Sequence, residues 1–158
     1  RPLRQTESMP TVHEYISSKL IESGVSVFKP LNSNSDIDFA IRTGDGTYTE
    51  VIIRESISEN DALSFQMDRF RPRAHLFILC VTSNHECWLI PSIAFERFAS
   101  GAPVEASWVL NLGTPNGNDS LVERLSVYKD RWSLLSNYTK YKSTLSDPVA
   151  LKVRIAMG

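Results

Sequence analysis

The sequence predicts an α/β domain with a mixed central β-sheet flanked by helices, and three features support this fold class. Residues 35–55 alternate like a hairpin, residues 76–81 are a continuous apolar run of strand length, and apolar residues recur at helical spacing on both sides. Because helices and strands are interspersed along the chain, a sheet with helices packed against it buries their apolar faces.

Composition and charge describe an ordinary soluble domain. The 158 residues are 42% hydrophobic and 22% charged. The net charge of -1 gives no overall attraction to nucleic acid, so any such binding must come from a local patch of positive charge. No apolar run approaches the roughly 18 residues of a membrane span, and residues 1–10 lack the hydrophobic stretch of a signal peptide. We therefore expect a cytoplasmic protein with no membrane partner, in which Cys80 and Cys87 are reduced thiols.

The hairpin is the most informative stretch of the chain. Its turn, Gly44-Asp45-Gly46, separates two runs of period-2 alternation. If the turn centres on Asp45, residues whose numbers sum to about 90 lie opposite each other. Asp36 then faces Arg54, Asp38 faces Ile52, and Ala40 faces Glu50, all on one side of the sheet. The other side is apolar: Ile37, Phe39, Ile41, Val51 and Ile53.

Helix signals flank the hairpin. Thr11 and Glu14 form a capping box, which predicts a first helix that ends at Gly24. A second capping box at Ser120 and Glu123 opens the most regular helical pattern in the chain. Its apolar face consists of Leu121, Leu125, Tyr128, Trp132 and Leu135.

The remaining segments complete the predicted order. We expect strands at 25–29, 76–81, 87–90 and 107–112, a short helix within 58–67, and another helix at 93–99. Residues 1–10 are predicted to be an irregular lead-in, 11–136 the domain, and 137–158 a polar extension whose residues 151–155 favour an added strand.

This arrangement resembles the PD-(D/E)xK nuclease superfamily, whose fold is restriction endonuclease-like. The resemblance rests on a helix bearing Glu14, a strand bearing Asp38, the tight turn, and a strand with alternating positions at Ile52 and Arg54. A later strand pair ending in Ile90-Pro91 before a helix is also similar. The resemblance covers roughly residues 11–136.

The resemblance implies a metal-dependent phosphodiester hydrolase, an endonuclease acting on DNA. Family members use Mg²⁺ or Mn²⁺ to stabilise phosphate charge and to activate water. Carried over by position, the family aspartate falls on Asp38, the acid-x-lysine pair on Ile52 and Arg54, and the helix glutamate on Glu14.

This sequence departs from the motif at two positions. Ile52 cannot bind a metal, and Arg54 keeps the positive charge of lysine with a different geometry and no capacity for proton transfer. Glu50 is a candidate replacement carboxylate, and so is Asp36. The implied catalytic set is Asp38, Glu50, Arg54 and Glu14, with Asp38 and Glu50 as metal ligands. Arg69, Arg71 and Arg73 are the candidate nucleic-acid contacts.

Each candidate also has a structural interpretation. Glu14 serves the capping box, Asp36 and Arg54 suit an ion pair, and Glu50 suits a solvated strand position. The arginine cluster suits an exposed turn. The histidines His13, His75 and His85 are interpreted as structural or surface residues, because none has a partner at metal-ligand spacing.

Two functions follow from these features. The first is a nucleic-acid-associated domain, either an endonuclease with an altered site or a catalytically degenerate member that binds DNA. The second is a non-catalytic interaction or structural domain that reuses the fold. A homodimer or larger assembly stays open, as does a place within a larger protein. A charged cleft beside Asp38 would favour nucleic acid, and a filled apolar surface would favour a protein partner.

Overall fold

The computed structural model describes residues 11–57, 63–102, 107–113 and 120–158. The predicted lead-in, residues 1–10, lies outside the described residues. The helices are α1 (Val12–Glu22), α2 (Ser92–Phe98), α3 (Ser120–Leu125), α4 (Ser133–Ser136), α5 (Tyr138–Tyr141) and α6 (Pro148–Ala156). The strands are β1 (Ser26–Phe28), β2 (Phe39–Arg42), β3 (Tyr48–Glu55), β4 (Ser64–Asp68), β5 (Leu76–Val81), β6 (Cys87–Pro91), β7 (Ser100–Ala102) and β8 (Ser107–Asn111).

A five-stranded mixed sheet forms the centre of the described fold. Its order is β1-β2-β3-β5-β6, and a smaller sheet has the order β4-β8-β7. The pairing of β3 with β5 is parallel, whereas the other pairings of the larger sheet are antiparallel. The predicted α/β class, with a mixed central sheet flanked by helices, is confirmed.

The hairpin of β2 and β3 has the predicted register. Phe39 lies opposite Val51 and Ala40 lies opposite Glu50, which centres the turn on Asp45. Gly46 adopts a φ of 87°, a conformation that favours glycine. The apolar face is buried at Phe39, Ile41, Val51 and Ile53.

The α1 capping box also forms as predicted. The Thr11 hydroxyl accepts from the Glu14 N–H, and Glu14 accepts in return from the Thr11 N–H, each at 3.1 Å. Ile16 and Leu20 of α1 are fully buried. The helix is therefore fixed both at its N-terminus and along its apolar face.

The central strands β5 and β6 are buried along their whole length, as the apolar run predicted. Cys80 lies opposite Trp88 and Cys87 opposite Val81, so the two thiols do not face each other. Both cysteines are free and buried.

None of the described helices combines the length and the apolar character that a membrane crossing requires.

The short helix predicted within residues 58–67 is wrong where the structure describes it. Residues 58–62 lie outside the described residues, and Ser64–Asp68 is strand β4. Phe65 and Met67 are buried while Gln66 and Asp68 are exposed, which is the period-2 pattern of a strand that covers a core on one face. Pairing with β8 fixes this conformation.

The long helix predicted after residue 120 is broken into short pieces. Its helix α3 ends at Leu125, and a 3₁₀ turn follows at Ser126–Tyr128. Asp130 has a φ of 50°, its N–H donates to the Cys87 carbonyl, and its carboxylate accepts from the Cys87 N–H. Docking of Asp130 on Cys87, the first residue of β6, therefore overrides the helical pattern.

The strand predicted at residues 151–155 is also wrong, because this segment belongs to helix α6. Asp147 caps the helix by accepting from the N–H groups of Val149 and Ala150, and Pro148 occupies its first turn. An aspartate followed by proline is a helix-start signal that the sequence already carried. The predicted polar extension, residues 137–158, also contributes four residues to the hydrophobic core: Tyr138, Tyr141, Leu145 and Leu151.

Candidate nucleic-acid interface

A charged cleft of about 220 Å³ opens beside the hairpin. The start of the hairpin, β3, the end of β4 and the segment that follows β4 all line it. Its charged lining residues are Asp36, Asp38, Arg54, Asp68, Arg69, Arg71 and Arg73. We call it the arginine cleft. It brings the predicted aspartate, the predicted Arg54 and the predicted arginine cluster to one place.

Asp38 is fixed at the edge of this cleft. Its Oδ2 accepts from the Ile53 N–H at 2.7 Å, and its Oδ1 lies 2.9 Å from Nε2 of His13. The Asp38 N–H also donates to the Val51 carbonyl at 2.8 Å. Asp38 therefore extends the hydrogen bonding between β2 and β3 by one more bond, from the Ile53 N–H to its side chain. Both of its carboxylate oxygens have protein donors.

The residue of α1 that contacts Asp38 is His13. Glu14, the position assigned to the helix glutamate of the motif, is occupied by the capping box, and the Thr11 N–H and hydroxyl lower its pKa. Sequence reasoning interpreted His13 as structural or surface. The only available signal was its place one residue before Glu14, and the rotation of α1 decides which of the two faces the hairpin.

Glu50 is held by two basic side chains. Arg73 Nε lies 2.8 Å from its Oε1, and His75 Nε2 lies 3.2 Å from the same oxygen. Arg73 also reaches Asp36 with Nη2 at 3.5 Å. The suggested ion pair between Asp36 and Arg54 is therefore wrong: among the described contacts, Asp36 pairs with Arg73.

Arg54 and Ile52 occupy the positions of the acid-x-lysine pair. Ile52 is 2% exposed and lines the floor of the arginine cleft. Arg54 donates from Nη1 to the Ile53 carbonyl at 2.9 Å. Asp38, Ile52 and Arg54 thus lie on one side of the sheet, as the hairpin register predicted.

The far side of the cleft comes from the end of β4. Asp68 accepts from the Gln66 amide at 3.1 Å. That hydrogen bond is the main reason why the pKa of Asp68 is lowered, and Ser107, Arg54 and Arg69 lower it further. Arg69 follows with a φ of 54°. Sequence reasoning missed Asp68 because it predicted a helix within residues 58–67, directly before this position, and not a strand that ends at Asp68.

The predicted metal ligands do not fit a divalent cation as they are arranged. Mg²⁺ and Mn²⁺ bind through several oxygen ligands, yet each oxygen of Asp38 already accepts from His13 or Ile53, and Oε1 of Glu50 is paired with Arg73 and His75. Among the residues that the structure describes, no group of three or more His, Cys, Asp or Glu side chains is placed to hold a metal ion.

No family model matches the chain, and no curated protein matches it in sequence. Among solved structures, the fold is similar to that of the bacterial homing endonuclease I-Ssp6803I, with a TM-score of 0.60. The two chains are 15% identical, and the match covers 81% of this chain and 90% of that chain. At this identity the similarity shows a nuclease-like fold and carries no residue-level assignment.

Proposed function

We propose that this chain is a DNA-binding member of the PD-(D/E)xK-like fold, one that holds the phosphodiester backbone in the arginine cleft through protein cations. The observation that carries the proposal is the placement of Arg54, Arg69, Arg71 and Arg73 around a single cleft that Asp38 also lines. The likeness in fold to a homing endonuclease supports DNA as the partner.

The cations of the cleft have the properties that phosphate binding needs. Arginine binds phosphate oxygens with a planar, always charged fork of N–H donors. Arg69 and Arg71 are exposed, and within the described residues neither forms a salt bridge. Their charges are therefore available to a polyanion, which a chain with a net charge of -1 can attract only locally.

The occupied carboxylates favour binding over metal-dependent cleavage. His13 and the Ile53 N–H hold Asp38, while Arg73 and His75 hold Glu50. Ile52 supplies no ligand at the second acid position. Protein donors thus occupy the carboxylates that would otherwise face a metal ion, and at Glu50 one of these donors is the Arg73 cation.

A metal-dependent endonuclease with an altered site is the second candidate. The retained Asp38 and the fold likeness favour it, and Asp38 with Glu50 would be the residues to test as ligands of Mg²⁺ or Mn²⁺. The remaining candidate is a non-catalytic protein-interaction domain, and the charged lining of the cleft disfavours it.

The decisive experiment measures DNA binding and DNA cleavage by the full chain. Binding of fluorescein-labelled duplex and single-stranded DNA is followed by anisotropy in EDTA and in MgCl₂. We expect binding in EDTA that weakens as salt increases. Arg71→Ala should weaken it, whereas Arg42→Ala, an exposed arginine at the far end of β2, is the matched control and should not. Equal losses for both variants would contradict the cleft as the binding site.

The cleavage arm separates the first two candidates. Linear, nicked, branched and single-stranded DNA are incubated with Mg²⁺ or Mn²⁺ beside the Asp38→Ala variant. Absence of cleavage with binding retained supports the binding member. Metal-dependent cleavage that disappears in Asp38→Ala supports the endonuclease. Absence of both binding and cleavage supports the interaction domain.

A further inference from the structure

A second groove, of about 490 Å³, lies next to the arginine cleft. Its polar lining residues are Thr11, His13, Lys29, Asn32, Ser33, Ser35 and Asp38. We call it the lysine groove. Ser35 and Asp38 line both the lysine groove and the arginine cleft, so the two are contiguous across the loop that leads into β2.

The donors of this groove have few partners of their own. Lys29 is exposed and forms no salt bridge with the residues that the structure describes. The Asn32 side-chain oxygen accepts from the Asn34 N–H at 2.9 Å, which leaves its amide group as a donor. An ammonium, an amide and the hydroxyl of Ser33 are the groups that proteins use to contact DNA phosphates.

The carboxylate between the two grooves accepts hydrogen bonds on both of its oxygens. Asp38 would repel a phosphate that passed from one groove to the other. Its hydrogen bonds to His13 and to the Ile53 N–H satisfy both oxygens, and His13 stands on the lysine-groove side. The two polar clefts can therefore serve one continuous backbone.

We propose that the lysine groove is a second phosphate subsite, so that one DNA strand runs from the arginine cleft across Asp38 and places a neighbouring phosphate against Lys29. This inference rests on the proposed DNA-binding function and deepens it. It adds to that function the path of the strand and a contact by Lys29.

The test is the salt dependence of DNA binding by the full chain. With duplex DNA as the probe, removing one phosphate contact reduces the magnitude of the slope of log K against log salt by about 0.9 and weakens binding similarly for all sequences. We expect this change for Lys29→Ala, and restoration of the slope in Lys29→Arg. Lys19→Ala is the matched control, because Lys19 lies on α1 over the Tyr15 ring and outside both grooves.

The outcomes distinguish this inference from the function on which it rests. If Arg71→Ala reduces the slope and Lys29→Ala leaves it unchanged, the lysine groove is not a subsite and the arginine cleft still is. If Lys19→Ala changes the slope as much as Lys29→Ala, the effect is general charge, and the subsite is again overturned. If the wild-type chain does not bind DNA at low salt, both proposals fail.

Discussion

His13 on α1 and Asp38 ahead of β2 are joined side chain to side chain, with Nε2 2.9 Å from Oδ1. The second oxygen of Asp38 accepts from the Ile53 N–H of β3 at 2.7 Å. One carboxylate therefore ties the first helix to the hairpin that carries the cleft. Asp38 therefore has a structural role in addition to any role in the cleft.

We expect Asp38→Ala to destabilise the fold. The substitution leaves the N–H of the buried Ile53 without its acceptor, which costs about 1–3 kcal/mol. His13→Ala should cost less, within about 1 kcal/mol, because its ring is 49% exposed. Urea unfolding followed by circular dichroism measures both. A loss for His13→Ala that exceeds the loss for Asp38→Ala would contradict this ranking.

The turn should make stability depend on pH through Asp45. Its carboxylate accepts from the hydroxyls of Thr139 and Thr43 and from the Thr47 N–H, and these hydrogen bonds lower its pKa, with Thr139 the largest cause. A lowered folded-state pKa stabilises the native state above the unfolded pKa of about 3.9. That stabilisation is lost as pH falls further and the carboxylate becomes protonated.

The comparison of wild type with Asp45→Asn isolates this effect. We expect the variant to be less stable than wild type at pH 7 and the two to converge as pH falls below about 4. Unfolding free energies measured from pH 7 down to the acid limit of folding test the prediction. Parallel stability curves for the two proteins would show that Asp45 does not contribute in this way.

The hairpin was predictable because its information is local. Period-2 alternation and the Gly44-Asp45-Gly46 turn set the register, and the register places Asp38 and Arg54 on one side of the sheet. The grouping of two sequence-distant charges in one cleft thus followed from a rule about adjacent residues.

The partners of Glu50 were not predictable, because they depend on long-range pairing. The parallel pairing of β3 with β5 places Glu50 opposite Leu76, and its N–H donates to the His75 carbonyl at 2.8 Å. Arg73 and His75 reach Glu50 only through this arrangement. No pattern in the sequence identifies which strands pair in parallel, or how α1 rotates to present His13.

Two local predictions failed for different reasons: a tertiary contact interrupted the first element, and a helix-start signal was not applied to the second. The apolar spacing of Leu125, Tyr128 and Leu135 correctly predicted burial, but the contact of Asp130 with Cys87 breaks the helix between them. The helix-start signal at Asp147-Pro148 is present in the sequence, although residues 151–155 were predicted to be a strand.

Gly101 should tolerate no larger residue. A Cβ at this position would lie 1.9 Å from Cε3 of Trp108, on the adjacent strand. We expect Gly101→Ala to destabilise the fold by about 1–3 kcal/mol, because the indole must move from its packed position. Gly44→Ala is the matched control, since its Cβ would meet nothing within 4 Å. Thermal unfolding of both variants tests this, and equal melting temperatures would contradict the close packing of β7 on β8.

The charge of Asp38 gives the sharpest distinction between the two nucleic-acid functions. Asp38→Asn removes the negative charge at the junction of the two grooves and keeps a side-chain oxygen to accept from the Ile53 N–H. If the cleft binds the DNA backbone directly, the variant should bind more tightly, by roughly fivefold or less, since one like charge near a phosphate in water is worth about 1 kcal/mol.

The same substitution has the opposite consequence for an endonuclease. Loss of the carboxylate would remove a metal ligand, so that cleavage in Mg²⁺ or Mn²⁺ would be lost and metal-dependent binding would weaken. Anisotropy titrations of wild type and Asp38→Asn, each in EDTA and in MgCl₂, measure the difference. Glu22→Gln is the control for general charge, because Glu22 is exposed at the end of α1 and lines neither groove. Tighter binding in Asp38→Asn under both conditions, beyond that of Glu22→Gln, is the expected result. Weaker binding confined to MgCl₂ would instead identify Asp38 as a metal ligand.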